Sequence, residues 1–187
     1  MSIRSLRHFG TALLCATLGL SALTAQAAPP APTAKEILAT ALQQAQQQHK
    51  NVLLVFSASW CGPCHLYERF LEDPQMKSIT EKAFVVARVD VGERPGDPRH
   101  TDTPGGTALR SSLGSSPEPG FPFLVITSQA GQPLINSNLN GKLGDNIGYP
   151  MLPREIDWYI AMLKQAAPAL SADDIAAQQA WLKAHAH

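Results

Sequence analysis

Residues 51–65 read NVLLVFSASWCGPCH. The apolar run from Val52 to Phe56 does not alternate, and it stops sooner than a buried helix would. It fits a strand covered on both faces, and therefore a central strand of a sheet. Cys61 and Cys64 follow at once. Pro63 is tolerated in a first helical turn, where its missing N–H has no intrahelical partner to lose. Leu66, Phe70 and Leu71 then recur at helical spacing. This order places Cys61 at a helix N-terminus and Cys64 one turn further in. Unpaired amides and the helix dipole favour an anion at that position, and the thiolate is the nucleophilic form of cysteine. Cys61 is therefore expected to attack a substrate disulfide, and Cys64, the more buried of the two, to resolve the mixed disulfide. Gly62 and Pro63 shape the turn without blocking access.

Working outward, Thr33 and Glu36 have the spacing of a capping box, with Ile37, Leu38, Ala41, Leu42 and Ala45 on one helical face. The glutamines 46–48 read as a solvated helix end. Asp73-Pro74 caps a short helix that points Met76 and Ile79 inward. Phe84 to Val91 reads as a second buried strand, so strand, helix, strand implies a parallel crossover unit. Residues 92–120 are rich in Gly, Pro and Ser and read as an inserted, exposed loop, with a short helix near Thr107–Leu113. Its charged residues, Glu93, Arg94, Asp97, Arg99 and Asp102, are candidates for contact with a partner protein. Phe123–Thr127 and Pro133–Asn138 form a hairpin around Ala130-Gly131. A helix from Pro153 to Ala166 buries Ile156, Tyr159, Ile160 and Leu163. Ser171 and Asp174 cap a last helix carrying Ile175 and Leu182. Trp158 and Trp181 read as packing residues.

The chain has 187 residues and a formal net charge of zero, without the basic footprint of a nucleic-acid binder. Arg4 and Arg7, an apolar stretch from Phe9 to Leu23, and Ala25-Gln26-Ala27 resemble a signal peptide over 1–27. A retained anchor is the other reading of that segment. Residues 28–32 form a linker, and 33–187 one domain. Cleavage would remove Cys15 and leave two cysteines in a compartment that permits disulfides. A bridge from Cys61 to Cys64 closes almost no loop, which makes it a poor staple and a good redox switch.

The stretch Phe56–Cys64, the strand Val85–Val91 and Gly120-Phe121-Pro122-Phe123 together resemble the thioredoxin superfamily over roughly residues 33–166. The resemblance implies an α/β thioredoxin fold, a central mixed sheet flanked by helices. The inserted loop at 92–120 and an extra C-terminal helix near 171–185 are additions to it. It implies a cis-proline at Pro122 facing the cysteines, with Phe121 offering its backbone to an extended substrate and Trp60 as a lid. Asp73-Pro74-Gln75-Met76 is similar to exported members and to the C-terminal domain of the DsbD electron carrier. Two departures stand out. Val55 occupies the place of a buried aspartate that moves protons in thioredoxin, and Arg88 that of its lysine partner.

The implied activity is thiol–disulfide exchange that reduces or isomerises protein disulfides after export to the periplasm or beyond. The implied partners are disulfide-bearing proteins and a membrane electron donor of DsbD type, with no nucleic acid. No cofactor is expected beyond the Cys61–Cys64 disulfide, and no metal. His65 is a candidate for tuning the cysteines. Three other readings stay open. One is a thioredoxin-fold binding or chaperone module with dispensable cysteines. Another is c-type haem attachment, because Cys61-Gly-Pro-Cys64-His65 matches its motif. The third is a copper chaperone in which the two thiolates and His65 hold Cu(I).

Overall fold

The computed structural model describes residues 30–96, 100–117 and 120–186. The segment read as a signal peptide, Asp97 and Arg99 lie outside these residues. Four strands form one mixed sheet in the order β2-β1-β3-β4. β1 (Asn51–Ser57) runs parallel to β2 (Phe84–Asp90) and antiparallel to β3 (Phe123–Thr127), which pairs antiparallel with β4 (Pro133–Asn136). β1 is central and buried from Val52 onward, as its unbroken apolar run predicts. The expected fourth strand to Asn138 ends at Asn136, and the chain continues through an isolated bridge between Asn138 and Asn146.

β2 differs from expectation. It is an edge strand whose Arg88 and Asp90 are exposed. The apolar majority in Phe84–Val91 hides this, because only one face of its C-terminal half is covered. Register places Arg88 beside Val55 on β1, the two positions where the family's charged pair is expected.

The sheet separates two cores. On one side α1 (Ala34–Gln48) and α4 (Gly106–Ser112) cover Val52, Leu54, Phe56, Val89, Phe123 and Val125. α1 starts at the Thr33–Glu36 capping box. The short helix α4 lies in the segment read as a loop. On the other side α2 (Gly62–Glu72), α3 (Pro74–Ala83), α5 (Pro153–Ala166) and α6 (Ala172–Ala184) pack over Leu53, Val55, Leu124 and Ile126. Asp73 ends α2 and caps α3, accepting from the Gln75 and Met76 amides at 3.0 and 3.1 Å. These bonds to the ionised carboxylate, chiefly that from Met76, hold its pKa below the ordinary value. None of the described helices is long and apolar enough to cross a membrane.

α2 is held from behind by aromatic side chains. Tyr67 stacks on Phe70 with centroids 5.7 Å apart, and Tyr159 of α5 meets both edge-on. Trp181 of α6 lies 5.1 Å from Phe70 and stacks on His185. The buried Tyr67 and Tyr159 hydroxyls are 3.3 Å apart, and Tyr159 reaches Gln178 of α6 at 3.4 Å. The C-terminal helix thus buttresses the helix that begins at the cysteines. Phe70→Ala is expected to destabilise the fold by about 3–5 kcal/mol, the range for deleting a buried aromatic. Trp181→Ala costs less because Trp181 is only partly buried. The two touch, so the double variant should fall short of additivity. Urea unfolding of the three variants measures this, and strict additivity would contradict the buttress.

Candidate active site

The site begins where β1 ends. Ala58 accepts from the Cys61 amide at 3.1 Å, which turns the chain sharply into α2. Cys61 is the N-cap, with extended backbone at φ −86° and ψ 109°. Its Sγ accepts from the Cys64 amide at 3.1 Å. The sulfur therefore occupies the place of a capping oxygen, and the Cys64 amide divides its donation between it and the Cys61 carbonyl, also at 3.1 Å. Cys61 and Cys64 form a disulfide with their Cα atoms 5.2 Å apart. Their exposures are 3% and 2%, so burial does not separate them as expected. The short bridge draws both into one small cluster with Ala58 and Phe121. Gly62 and Pro63 are exposed, and the space around Gly62 is open.

Phe121 closes one side of the pair. The Phe121–Pro122 peptide is cis, Pro122 is buried, and Phe121 is half-buried. Among the described residues, neither the amide nor the carbonyl of Phe121 joins a backbone hydrogen bond. Gly148 (φ +60°) lies beside that carbonyl, and a Cβ there would sit 3.2 Å from the oxygen. Trp60 is 44% exposed and meets the Phe121 ring edge-on at 6.0 Å.

The segment read as an inserted loop forms the remaining wall. The Trp60 indole N–H donates to the Gly92 carbonyl at 2.8 Å, and the Arg94 guanidinium lies 5.6 Å from the Trp60 ring. Glu93 is engaged within the chain. Its carboxylate accepts from both the amide and the hydroxyl of Ser59, at 2.7 and 2.6 Å. Asp102 in turn accepts from the Glu93 amide at 2.7 Å. Gly92 has φ +73°, and a Cβ there would stand 3.0 Å from the Phe121 ring, so the close approach requires glycine. Arg110 of α4 is only 6% exposed and places its guanidinium 5.2 Å from the same ring. Its Nε and Nη1 find no hydrogen-bond partner among the described residues. Loss of water pulls its pKa down, against the opposing pull of Asp102.

His65 is exposed. Its Nε2 lies 2.9 Å from the Ser59 carbonyl and its Nδ1 3.2 Å from Glu68. Ser59 is thus held by Glu93 from one side and His65 from the other. Asp90, at the end of β2, has its carboxyl raised above the ordinary value, first by loss of water and then by Glu93 and Glu68. No cluster of three or more metal-ligating side chains occurs among the described residues. Sequence reasoning missed Arg110 and Asn146, and gave Glu93 an outward role. Nothing in their sequence neighbourhoods signals an inward direction, which arises only when the segment after β2 closes on Ser59 and Phe121 and the turn after β4 closes on Gly120 and Pro122.

The Glu93 clamp has a local signature. Hydrogen bonds to an ionised group contribute about 1.5–3 kcal/mol. Glu93→Ala should therefore speed hydrogen exchange of the Ser59 amide by at least about tenfold, while amides in β3 stay protected. Unchanged exchange at Ser59 would contradict the clamp.

The solved structure of a disulphide isomerase from Xylella fastidiosa Temecula1 shares 22% identity with this chain, covers 78% of it and 98% of its own length, and superposes with a TM-score of 0.50. Likeness at that identity shows the fold. The oxidised C-terminal domain of DsbD from Neisseria meningitidis aligns at 21% identity over 70% of this chain and 97% of its own, with a TM-score of 0.40. No curated protein sequence matches. The sequence pattern of the family described as Thioredoxin-like matches residues 33–127. That match runs from the cap of α1 through the cysteine pair to the end of β3, half of the chain, and so this protein belongs to the thioredoxin superfamily.

Proposed function

We propose that this protein is an exported thiol–disulfide oxidoreductase that reduces or isomerises protein disulfides. The observation that carries the reading is the capping of α2 by Cys61, whose sulfur accepts from the Cys64 amide at 3.1 Å. A thiolate at that position gains a donor and the helix dipole, both of which favour the charged form. In the reduced protein the Cys61 thiolate attacks one sulfur of a substrate disulfide. A Cys61–substrate bond forms, the substrate S–S bond breaks, and the departing sulfur takes a proton. Cys64, as thiolate, then attacks Cys61 and releases the second substrate thiol. The substrate gains two electrons and two protons, and the protein is left with the Cys61–Cys64 disulfide.

In this reading Phe121 lends its backbone to the substrate, the cis Pro122 sets the direction of that backbone, and Trp60 covers one side. His65 steadies the entry turn through Ser59. With Val55 at the aspartate position, proton transfer from Cys64 passes through water or another group. A reductase outside the cytoplasm needs electrons returned across the membrane, so a dithiol donor of DsbD type is the implied partner. The signal-like segment at 1–27 supports export.

Cys64→Ser tests the mechanism. Reduced and mixed with a disulfide-containing protein, it should accumulate a mixed disulfide through Cys61 that dithiothreitol dissolves. Cys61→Ser should form none. Failure of Cys64→Ser to trap any adduct, with substrate binding retained, would favour a binding module.

A further inference from the structure

Asn146 follows the Gly-rich turn after β4, far in sequence from both the cysteines and Phe121. Its side-chain amide is fully used. Nδ2 donates to the Gly120 carbonyl at 2.8 Å and to the Pro122 carbonyl at 3.0 Å. Oδ1 accepts from the Ser137 hydroxyl at 2.6 Å and from the Gly148 amide at 3.3 Å. Ser137 Oγ accepts in turn from the Leu124 amide at 2.8 Å. The direction of every bond is fixed. Carbonyls accept only, the amides of Leu124 and Gly148 donate only, and the hydroxyl joins the two. One half-buried side chain therefore grips the residues on both sides of Phe121, and it is anchored to β3 through Ser137.

Phe121 itself is not gripped in this way. Its backbone amide and carbonyl have no backbone partner among the described residues, and Gly148 keeps a side chain away from the carbonyl. Flanking carbonyls held by a rigid anchor, with a free peptide unit between them, form a short edge ready to pair with an extended chain.

We propose that Asn146 is a positioning residue for peptide substrates: by holding the Gly120 and Pro122 carbonyls it aims the free Phe121 backbone at an extended segment carrying the disulfide. This rests on the thiol–disulfide reading above. It adds that specificity for a peptide backbone, as distinct from reactivity towards any disulfide, depends on a side chain outside the cysteine motif. Asn146 touches neither sulfur in the hydrogen-bond network, so intrinsic reactivity of Cys61 does not depend on it.

The test compares two probes with the same leaving thiol. One is a short unstructured peptide whose cysteine is joined to 2-mercaptoethanol. The other is bis(2-hydroxyethyl) disulfide, which has no peptide backbone. Single-turnover oxidation of the reduced full-length protein is followed with each. Asn146→Ala removes the whole network. Asn146→Asp keeps the shape and the acceptor facing Ser137 and Gly148, but sets a carboxylate oxygen against two carbonyls. Both variants should lose about tenfold in rate with the peptide, the equivalent of a hydrogen bond or two. Their rate with the small disulfide should stay within about twofold of the parent, which also certifies a folded site. The inference is overturned if the ratio of the two rates is unchanged, whether both rates hold or both fall together. A parent protein inert towards both probes would instead overturn the exchange reading, and the positioning role with it.

Discussion

A helix must find partners for its first amides, and in α2 one of them is bonded to the sulfur of Cys61. This constraint ties the architecture to the chemistry. β1 has to end at Ser57, the chain has to turn through Ala58–Trp60, and α2 has to start at Gly62 for the sulfur to reach the Cys64 amide. A central strand buried on both faces gives that geometry a rigid base. The aromatic cluster of Tyr67, Phe70, Tyr159 and Trp181 ties α2 to α5 and α6. The cysteine pair is thus held between two well-packed elements, and its immediate neighbours decide what can approach it.

Those neighbours come largely from segments distant in sequence. Gly92 and Glu93 fasten Trp60 and Ser59. Arg110 lies against the Phe121 ring, and Asn146 holds the backbone on either side of it. Arg110 is costly to bury, since two of its donors lack partners among the described residues and the aromatic face offers only part of the lost hydration. The charge of Asp102 favours the cationic form and opposes part of that cost. The insertion is therefore part of the site's wall and not an appendage.

Much of this was legible in the chain. Periodicity and capping chemistry locate α1, α3, α5 and α6, and the unbroken apolar run of Val52–Phe56 announces the central strand. The cysteine pair between strand and helix points to the site. What escaped has a common cause. β2 is as apolar as β1, yet it lies at an edge, and strand composition does not report how many neighbours a strand has. Tyr67 has no distinguishing signal in a helix already assigned Leu66 and Phe70 as its inward residues. Glu93 and Asn146 are polar residues in irregular segments, and Arg110 sits in a two-turn helix too short to show an amphipathic period, so local pattern carries no direction. Their roles arise from long-range closure of the chain, so only the folded structure brings them to Ser59 and Phe121.

The central claim is that Cys61 and Cys64 form a reversible two-electron couple. The most direct measurement is a redox equilibrium of the protein in glutathione or dithiothreitol buffers, read by alkylation of the two thiols. A single reversible transition is expected near the reducing end of the family's range, about −270 mV as in thioredoxin. A transition near the value of about −120 mV typical of DsbA would reverse the direction assigned here. Absence of any reversible transition would contradict the claim itself.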